Sequence, residues 1–243
     1  VYMVHVGKSY PIHDALGKAT GRTVYAGDME LKGMLHMAVL FSKIPHGFVK
    51  KLDYSRAMEL PGVVDVLYYG NTCQKEYNRY HSQYRQDLIH TERIFNQHVR
   101  FVGDRIGAVA ARDEETARRA AALVKVEYEE LPFVLDVQEA MADGAPQLHE
   151  KYQNNILAHT DIRRGNYEAA RQEPGLIKVE GWYDTPTVQH CHIENHGCFA
   201  YMEAGRVVVV TSTQIPHIVR RVVGQALGIP WGKVRIIKPY IGG

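Results

Sequence analysis

Residues 189–197 read QHCHIENHG, which places three histidines, a cysteine and a glutamate within nine positions. These side chains ligate metal ions or hold protons near neutral pH. If the backbone is extended, His190, His192, Glu194 and His196 project to one face at intervals of about 6.6 Å, while Gln189, Cys191, Ile193 and Asn195 project to the other. Such a strand face could offer two zinc ligands. A closed tetrahedral site needs four, and no second Cys/His cluster with finger spacing occurs in the sequence. Three readings stay open: direct metal ligation, a polar strand face packed against a cofactor or a neighbouring domain, and ordinary satisfied polarity.

Gln214 is a second candidate. It lies in TSTQIP, between an apolar run and a segment that Pro216 suits to the first turn of a helix. Ligands of α/β proteins gather where strand ends meet helix N-termini, and an amide can donate one hydrogen bond while accepting another. The alternative is an amide that caps its own helix. The pair Gly242–Gly243 allows close approach of backbone to a ligand, or serves as a simple turn. No nucleophile elbow G-x-S-x-G, phosphate-cradling G-x-x-x-x-G-K-[ST] or zinc-binding H-E-x-x-H occurs, so serine hydrolase, nucleotide phosphatase and zincin chemistries lack support.

Composition narrows the field further. With 29 Lys and Arg against 27 Asp and Glu, the net charge of +2 offers no run that would track a phosphate backbone, which argues against nucleic acid as a partner. Apolar runs stop at four or five residues, as at Val207–Val210, far short of the roughly 20 that cross a bilayer. The opening residues show no basic segment followed by an apolar core, so no secretory signal is expected. Three cysteines, Cys73, Cys191 and Cys198, are an odd count in a long chain and suggest reduced thiols and a cytoplasmic location.

The elements that must position these residues are legible in part. Met34–Phe41 and Arg105–Ala111 suit buried strands, and residues 125–129 alternate charged with apolar. Between the last two, Asp113 can cap a helix in which Ala117, Ala120, Ala121 and Val124 share one face. A short helix is expected over Ser55–Leu60, opened by the Ser55 hydroxyl and stopped by Pro61 and Gly62. Residues 70–97, polar and rich in tyrosine, read as a long excursion, mobile or covered by a partner. A stretch near 137–176 that carries Gly144, Pro146, Gly165, Pro174 and Gly175 reads as connecting sequence. Beyond it, strands are expected at Ile177–Tyr183, Cys198–Met202 and Val207–Thr211, the last two joined by a turn at 203–205. A helix opened by Pro216 and ended by Gly228 and Pro230 leads to a strand at Val234–Lys238.

Several segments, taken together, resemble a known family. DALGKATGRTVYAGDM (14–29), FSKIPHG (41–47), LPGVVDVL (60–67), residues 99–136 from VRFVGDRIG to PFVLD, TSTQIPHIVRRVVGQALGIPW and KPYIGG occur in one order over most of the chain. They are similar to the molybdenum-cofactor-binding subunit of the xanthine dehydrogenase/aldehyde oxidase family. QHCHIE and TQIPHIVRRVVGQAL lean toward its bacterial xanthine dehydrogenase branch.

The resemblance implies an α+β chain: an α/β hammerhead domain over residues 1–137, a linker over 138–149, and the beginning of a molybdopterin-binding domain over 150–243. It implies that Gln214 hydrogen-bonds at a molybdenum centre. Gly242 and Gly243 would begin a glycine-rich loop that lies against the cofactor. The family reaction hydroxylates a purine carbon beside nitrogen, as in hypoxanthine or xanthine, with oxygen from water and a glutamate as base. That base would follow residue 243, so no catalytic residue and no protein metal ligand is named here, and the fragment alone is expected to be inactive and to lose the molybdenum–molybdopterin. Iron–sulfur clusters and FAD would sit on other domains or subunits, since three scattered cysteines cannot ligate such clusters. Partners implied are the remainder of the molybdopterin domain or a second subunit, and the iron–sulfur and FAD subunits. An apolar edge left open would favour homo-oligomers. Alternatives are the same chemistry on an aldehyde, nicotinate or carbon monoxide, and a non-catalytic docking module for a partner subunit.

Overall fold

The structure, a computed structural model, describes residues 5–79 and 90–243. It divides into two units, one made of the residues up to Phe133 together with Ile193–Gly243, the other of Val134–His192. In the first unit α1 (Ala15–Ala19) precedes β1 (His36–Phe41), β2 (Gly47–Asp53), α2 (Ser55–Met58), β3 (Val63–Tyr68), β4 (His98–Val99), β5 (Arg105–Ala111), α3 (Glu114–Leu123) and β6 (Lys125–Glu130). The second unit carries α4 (Val137–Met141) and α5 (Tyr167–Ala170). The first unit resumes with β7 (Cys198–Glu203), β8 (Arg206–Thr211), α6 (Pro216–Leu227) and β9 (Val234–Ile237).

β5 lies between β1 and β3 in an antiparallel sheet, and every residue from Ile106 to Ala111 is buried. Its alanines, with Ala117 and Ala120 of α3, let the helix pack directly on β1 and β5. Asp113 caps that helix as expected, accepting from the Thr116 N–H. A second antiparallel sheet runs β4-β2-β6. Val49, Val66, Val99, Ile106 and Val109 fill the core, each worth about 1.5–3 kcal/mol of burial. His46, also buried, is satisfied at both ring nitrogens: Nδ1–H donates to the Pro132 carbonyl at 2.6 Å, and Nε2 meets His98 Nε2 at 3.0 Å.

Two expectations need correction here. The helix at 55 is not opened by the Ser55 hydroxyl: Ser55 is already inside it, and the Asp53 carboxylate accepts from both its N–H and its Oγ. The described ends of the 70–97 excursion are held in place, because Tyr77 and Glu92 exchange backbone hydrogen bonds of 2.8 and 3.1 Å and Arg105 donates to the Glu92 carboxylate at 2.7 Å. Residues 80–89 of that excursion lie outside the described residues.

The third sheet has the order β7-β8-β9. β7 and β8 form a hairpin whose turn places Ala204 at φ 47° and Gly205 at φ 71°, the left-handed pair that matches the twist of two strands. β8 and β9 are parallel, so the chain must cross over, and α6 is that crossover. Pro216 opens α6, and Gly228 closes it in the left-handed conformation, its N–H bonded to the Gln225 and Gly224 carbonyls. Arg221 of α6 is buried, its Nη1 donating to Asn78 Oδ1 at 3.0 Å and to Gln225 Oε1 at 3.1 Å. Past β9, Tyr240 makes an isolated parallel bridge to Tyr25, and Lys18 lies over the Tyr240 ring.

In the second unit the Asn155 side chain ties three segments together, accepting from Leu148 N–H and donating to the Ala140 and Pro146 carbonyls. Ile177–Tyr183, expected as a strand, joins no ladder. Ile177, Val179, Trp182 and Tyr183 are 85–95% exposed, and no neighbouring strand among the described residues is there to satisfy the backbone groups. No helix among the described residues is long and apolar enough to cross a membrane.

Candidate functional site

Topology brings the singled-out residues to one end of the third sheet. In parallel β8 and β9, Val210 pairs with Ile237, so both strands finish at the same edge. Four residues past Val210 comes Gln214, and five past Ile237 comes Gly242. β7 runs the other way and begins opposite the end of β8, with Cys198 paired to Thr211, so the residues from Ile193 that lead into β7 arrive at the same edge. This is the arrangement in which strand exits and a helix N-terminus line a binding crevice.

Gln214 sits on the short connection between β8 and α6, exposed, and its amide takes no partner among the described residues. The helix-capping reading of this side chain does not hold: α6, whose N-cap is Ile215, takes no side-chain cap bond, and the Ile215 N–H itself goes to the Thr213 hydroxyl at 3.2 Å. Gln214 is therefore held at a helix start with both a donor and an acceptor free.

The strand reading of 189–196 is overturned. Residues 189–197 form no ladder, and Cys191 adopts φ 51°, which ends the alternation of faces. A cysteine in the left-handed region turns the chain instead of continuing it. The alternation of faces thus ends at Cys191, and bends follow at Ile193 and Glu194. Among the described residues no three His, Cys, Asp or Glu side chains converge to hold a metal ion.

Glu194 has a definite role in the geometry that residue spacing did not predict. Its Oε2 accepts from the Gly242 N–H at 2.6 Å, joining the histidine-rich segment to the glycine pair. A Cβ on Gly242 would lie 2.9 Å from Glu194 Cβ and 3.4 Å from Oε2, so only glycine fits this approach. Thr211 Oγ donates to the Gly197 carbonyl at 3.3 Å and fixes the same segment to the end of β8. The edge thus offers an exposed amide, a side-chain-free backbone run and one partly buried carboxylate.

Comparison with known proteins gives two matches that together account for most of the chain. Residues 20–132 match the a/b hammerhead domain of aldehyde oxidase and xanthine dehydrogenase, and residues 148–243 match the molybdopterin cofactor-binding domain. A putative xanthine dehydrogenase molybdenum-binding subunit of Escherichia coli K12 is 38% identical over 235 residues, covering 95% of this chain and 31% of its own length. The nicotinate dehydrogenase large molybdopterin subunit of Eubacterium barkeri is 32% identical, covering 98% of this chain and 54% of its own. Among solved structures, the aldehyde oxidoreductase of Desulfovibrio desulfuricans ATCC 27774 superposes with a TM-score of 0.87 at 25% identity, covering 98% of this chain and 27% of that one. The chain thus spans about a third to a half of the curated relatives it matches.

Proposed function

Because the chain belongs to the aldehyde oxidase and xanthine dehydrogenase family, we propose that it is the N-terminal part of the catalytic subunit of a molybdenum hydroxylase acting on hypoxanthine or xanthine. The observation that carries this reading is the shared sheet edge, where Gln214 and the Gly242–Gly243 pair follow the ends of two parallel strands, four and five residues past the Val210–Ile237 pairing. The hammerhead domain is assigned to 1–137, a linker to 138–149 and the first part of the molybdopterin domain to 150–243.

The residues at that edge fit such a cofactor. The Gln214 amide can donate to one polar atom and accept from another, and the glycine pair removes side chains from the backbone that must approach a flat, polar ring system. Molybdenum held by molybdopterin would supply the Lewis acid and the acceptor of two electrons while substrate C–H is replaced by C–OH from water. The protein's part at this edge is orientation. Gln214 would fix polar atoms at the metal centre, and the Gly242–Gly243 backbone would bound the cofactor. Iron–sulfur clusters and FAD on other domains or subunits would carry the electrons away, and the remainder of the molybdopterin domain would bring the base. The 243-residue chain alone is expected to be inactive.

The purine assignment is favoured over nicotinate or an aldehyde by the higher identity to the xanthine dehydrogenase subunit. The test is turnover by the complete subunit with its electron-transfer partners and a dye acceptor. Hypoxanthine or xanthine should be oxidised with kcat/KM at least about 100-fold above nicotinate, benzaldehyde and carbon monoxide, the discrimination a hydrogen-bonding pocket achieves. Preference for one of the other three would sink the purine reading, and a subunit lacking molybdenum would sink the whole proposal.

A further inference from the structure

Glu194 lies 48 positions from Gly242 in sequence, yet its carboxylate takes that residue's N–H at 2.6 Å. The bond is short and joins two segments far apart in sequence, so it constrains both. It has two geometric consequences. The Gly242 N–H is consumed and cannot serve a ligand. In a trans peptide the preceding carbonyl points opposite to the N–H, so fixing this N–H on Glu194 aims the Ile241 carbonyl away from the carboxylate. The glycine then allows the approach from close quarters, since a Cβ would meet Glu194 at 2.9 Å. A bound group on the far side would encounter an acceptor, the Ile241 carbonyl.

We propose that Glu194 is a positioning residue: by holding the Gly242 N–H it sets the Ile241–Gly242 peptide plane, so that the glycine pair presents the Ile241 carbonyl to the cofactor. This rests on the cofactor reading given above. Glu194 itself touches the backbone, not the cofactor, and so is distinct from Gln214.

Three variants test it. Glu194→Ala removes the acceptor, Glu194→Gln keeps an acceptor oxygen in the same place, and Gly242→Ala leaves the carboxylate but pushes the peptide off it. In the 243-residue chain, amide hydrogen exchange at Gly242 should quicken about tenfold or more in Glu194→Ala and Gly242→Ala, and stay within about threefold of wild type in Glu194→Gln. In the complete subunit, pterin release followed by its fluorescence should quicken about tenfold in the first two variants and be restored by Glu194→Gln, with the thermal midpoint of each variant close to that of wild type. Unchanged Gly242 exchange in Glu194→Ala overturns the proposal, and so does failure of Glu194→Gln to rescue pterin retention. If Glu194→Ala does not fold, Gly242→Ala against Glu194→Gln carries the same comparison. A wild-type subunit that holds no pterin refutes the cofactor reading instead, while the exchange measurement still decides whether Glu194 sets the peptide.

Discussion

Asp104 sits in the turn before β5, 3% exposed, with its carboxylate fully engaged. Oδ1 accepts from Asn96 Nδ2 at 2.7 Å and from the Arg105 N–H at 2.9 Å, and Oδ2 accepts from the Arg100 N–H at 3.3 Å. The Asp104 carbonyl also takes the Ser42 N–H at 2.7 Å, so the turn is tied to the end of β1. Asp104→Ala strands the two close donors and the longer one. At about 1–3 kcal/mol per buried donor left unpaired, with the Arg100 N–H free to find water, the expected loss is about 3 kcal/mol. Asp104→Asn keeps one oxygen for the two short bonds and sheds a buried charge, for a loss of about 1 kcal/mol. Urea unfolding of the chain reads both as shifts in midpoint at unchanged slope.

The pH dependence gives a sharper check. Burial pushes the Asp104 carboxyl up despite the bonds from Asn96, Arg100 and Arg105 and the Arg105 charge. A folded value above the unfolded one, about 3.9, means the native state takes the proton first. Its stabilising contribution is complete in acid and is lost as pH rises through the folded value. Asparagine has no such dependence, so the advantage of wild type over Asp104→Asn should widen on acidification from neutrality toward pH of about 4. A gap that narrows instead, or an asparagine variant as damaged as alanine, would refute the account.

Three further outcomes are expected. Asp113→Ala should lower the urea midpoint at neutral pH, because the carboxylate accepts from Thr116 N–H at 2.8 Å and from its hydroxyl at 2.8 Å. Those bonds hold the Asp113 pKa below the usual carboxylate range, so the difference should vanish as pH falls through the folded value, and Asp113→Ser should restore part of it at neutral pH. Ala204→Asn should raise stability by about 0.5–1 kcal/mol, seen as a higher thermal midpoint, since Ala204 bears the left-handed turn conformation that asparagine tolerates. Gln214→Ala should leave the stability of this chain within about 0.5 kcal/mol, as an exposed residue with no described partner, while lowering turnover by the complete subunit by about tenfold to a hundredfold.

Strands of regular rhythm were readable from sequence: β5, β7, β8 and the helices α3 and α6 follow from uninterrupted apolar periodicity and clear punctuation at Asp113, Pro216 and Gly228. β2 and β3 were not, and the reason is local. Register shifts at Val49/Lys51 and Val63/Asp65 insert a residue out of phase, so the two-residue alternation that signals a strand is broken within each. Ile177–Tyr183 shows the converse, a strand pattern with no described strand beside it. At the site, Gln214 and the glycine pair stand out because punctuation marks them. The tie between Glu194 and Gly242 does not, since a hydrogen bond between segments 48 residues apart leaves no periodic trace. The alternation assumed around Glu194 also failed at one residue, Cys191, whose backbone angle no composition rule reveals.

The bridge between Tyr25 and Tyr240 bears on the order of assembly. It joins residues far apart in sequence, beside the very segment that leads to the glycine pair. The chain entropy lost in closing so long a loop is not recovered until sheets formed by intervening residues have shortened the effective distance. During synthesis Tyr25 must therefore wait for this bridge until Tyr240 has left the ribosome. The segment that leads to Gly242 is thus fixed against Tyr25 only after the sheets between them have formed.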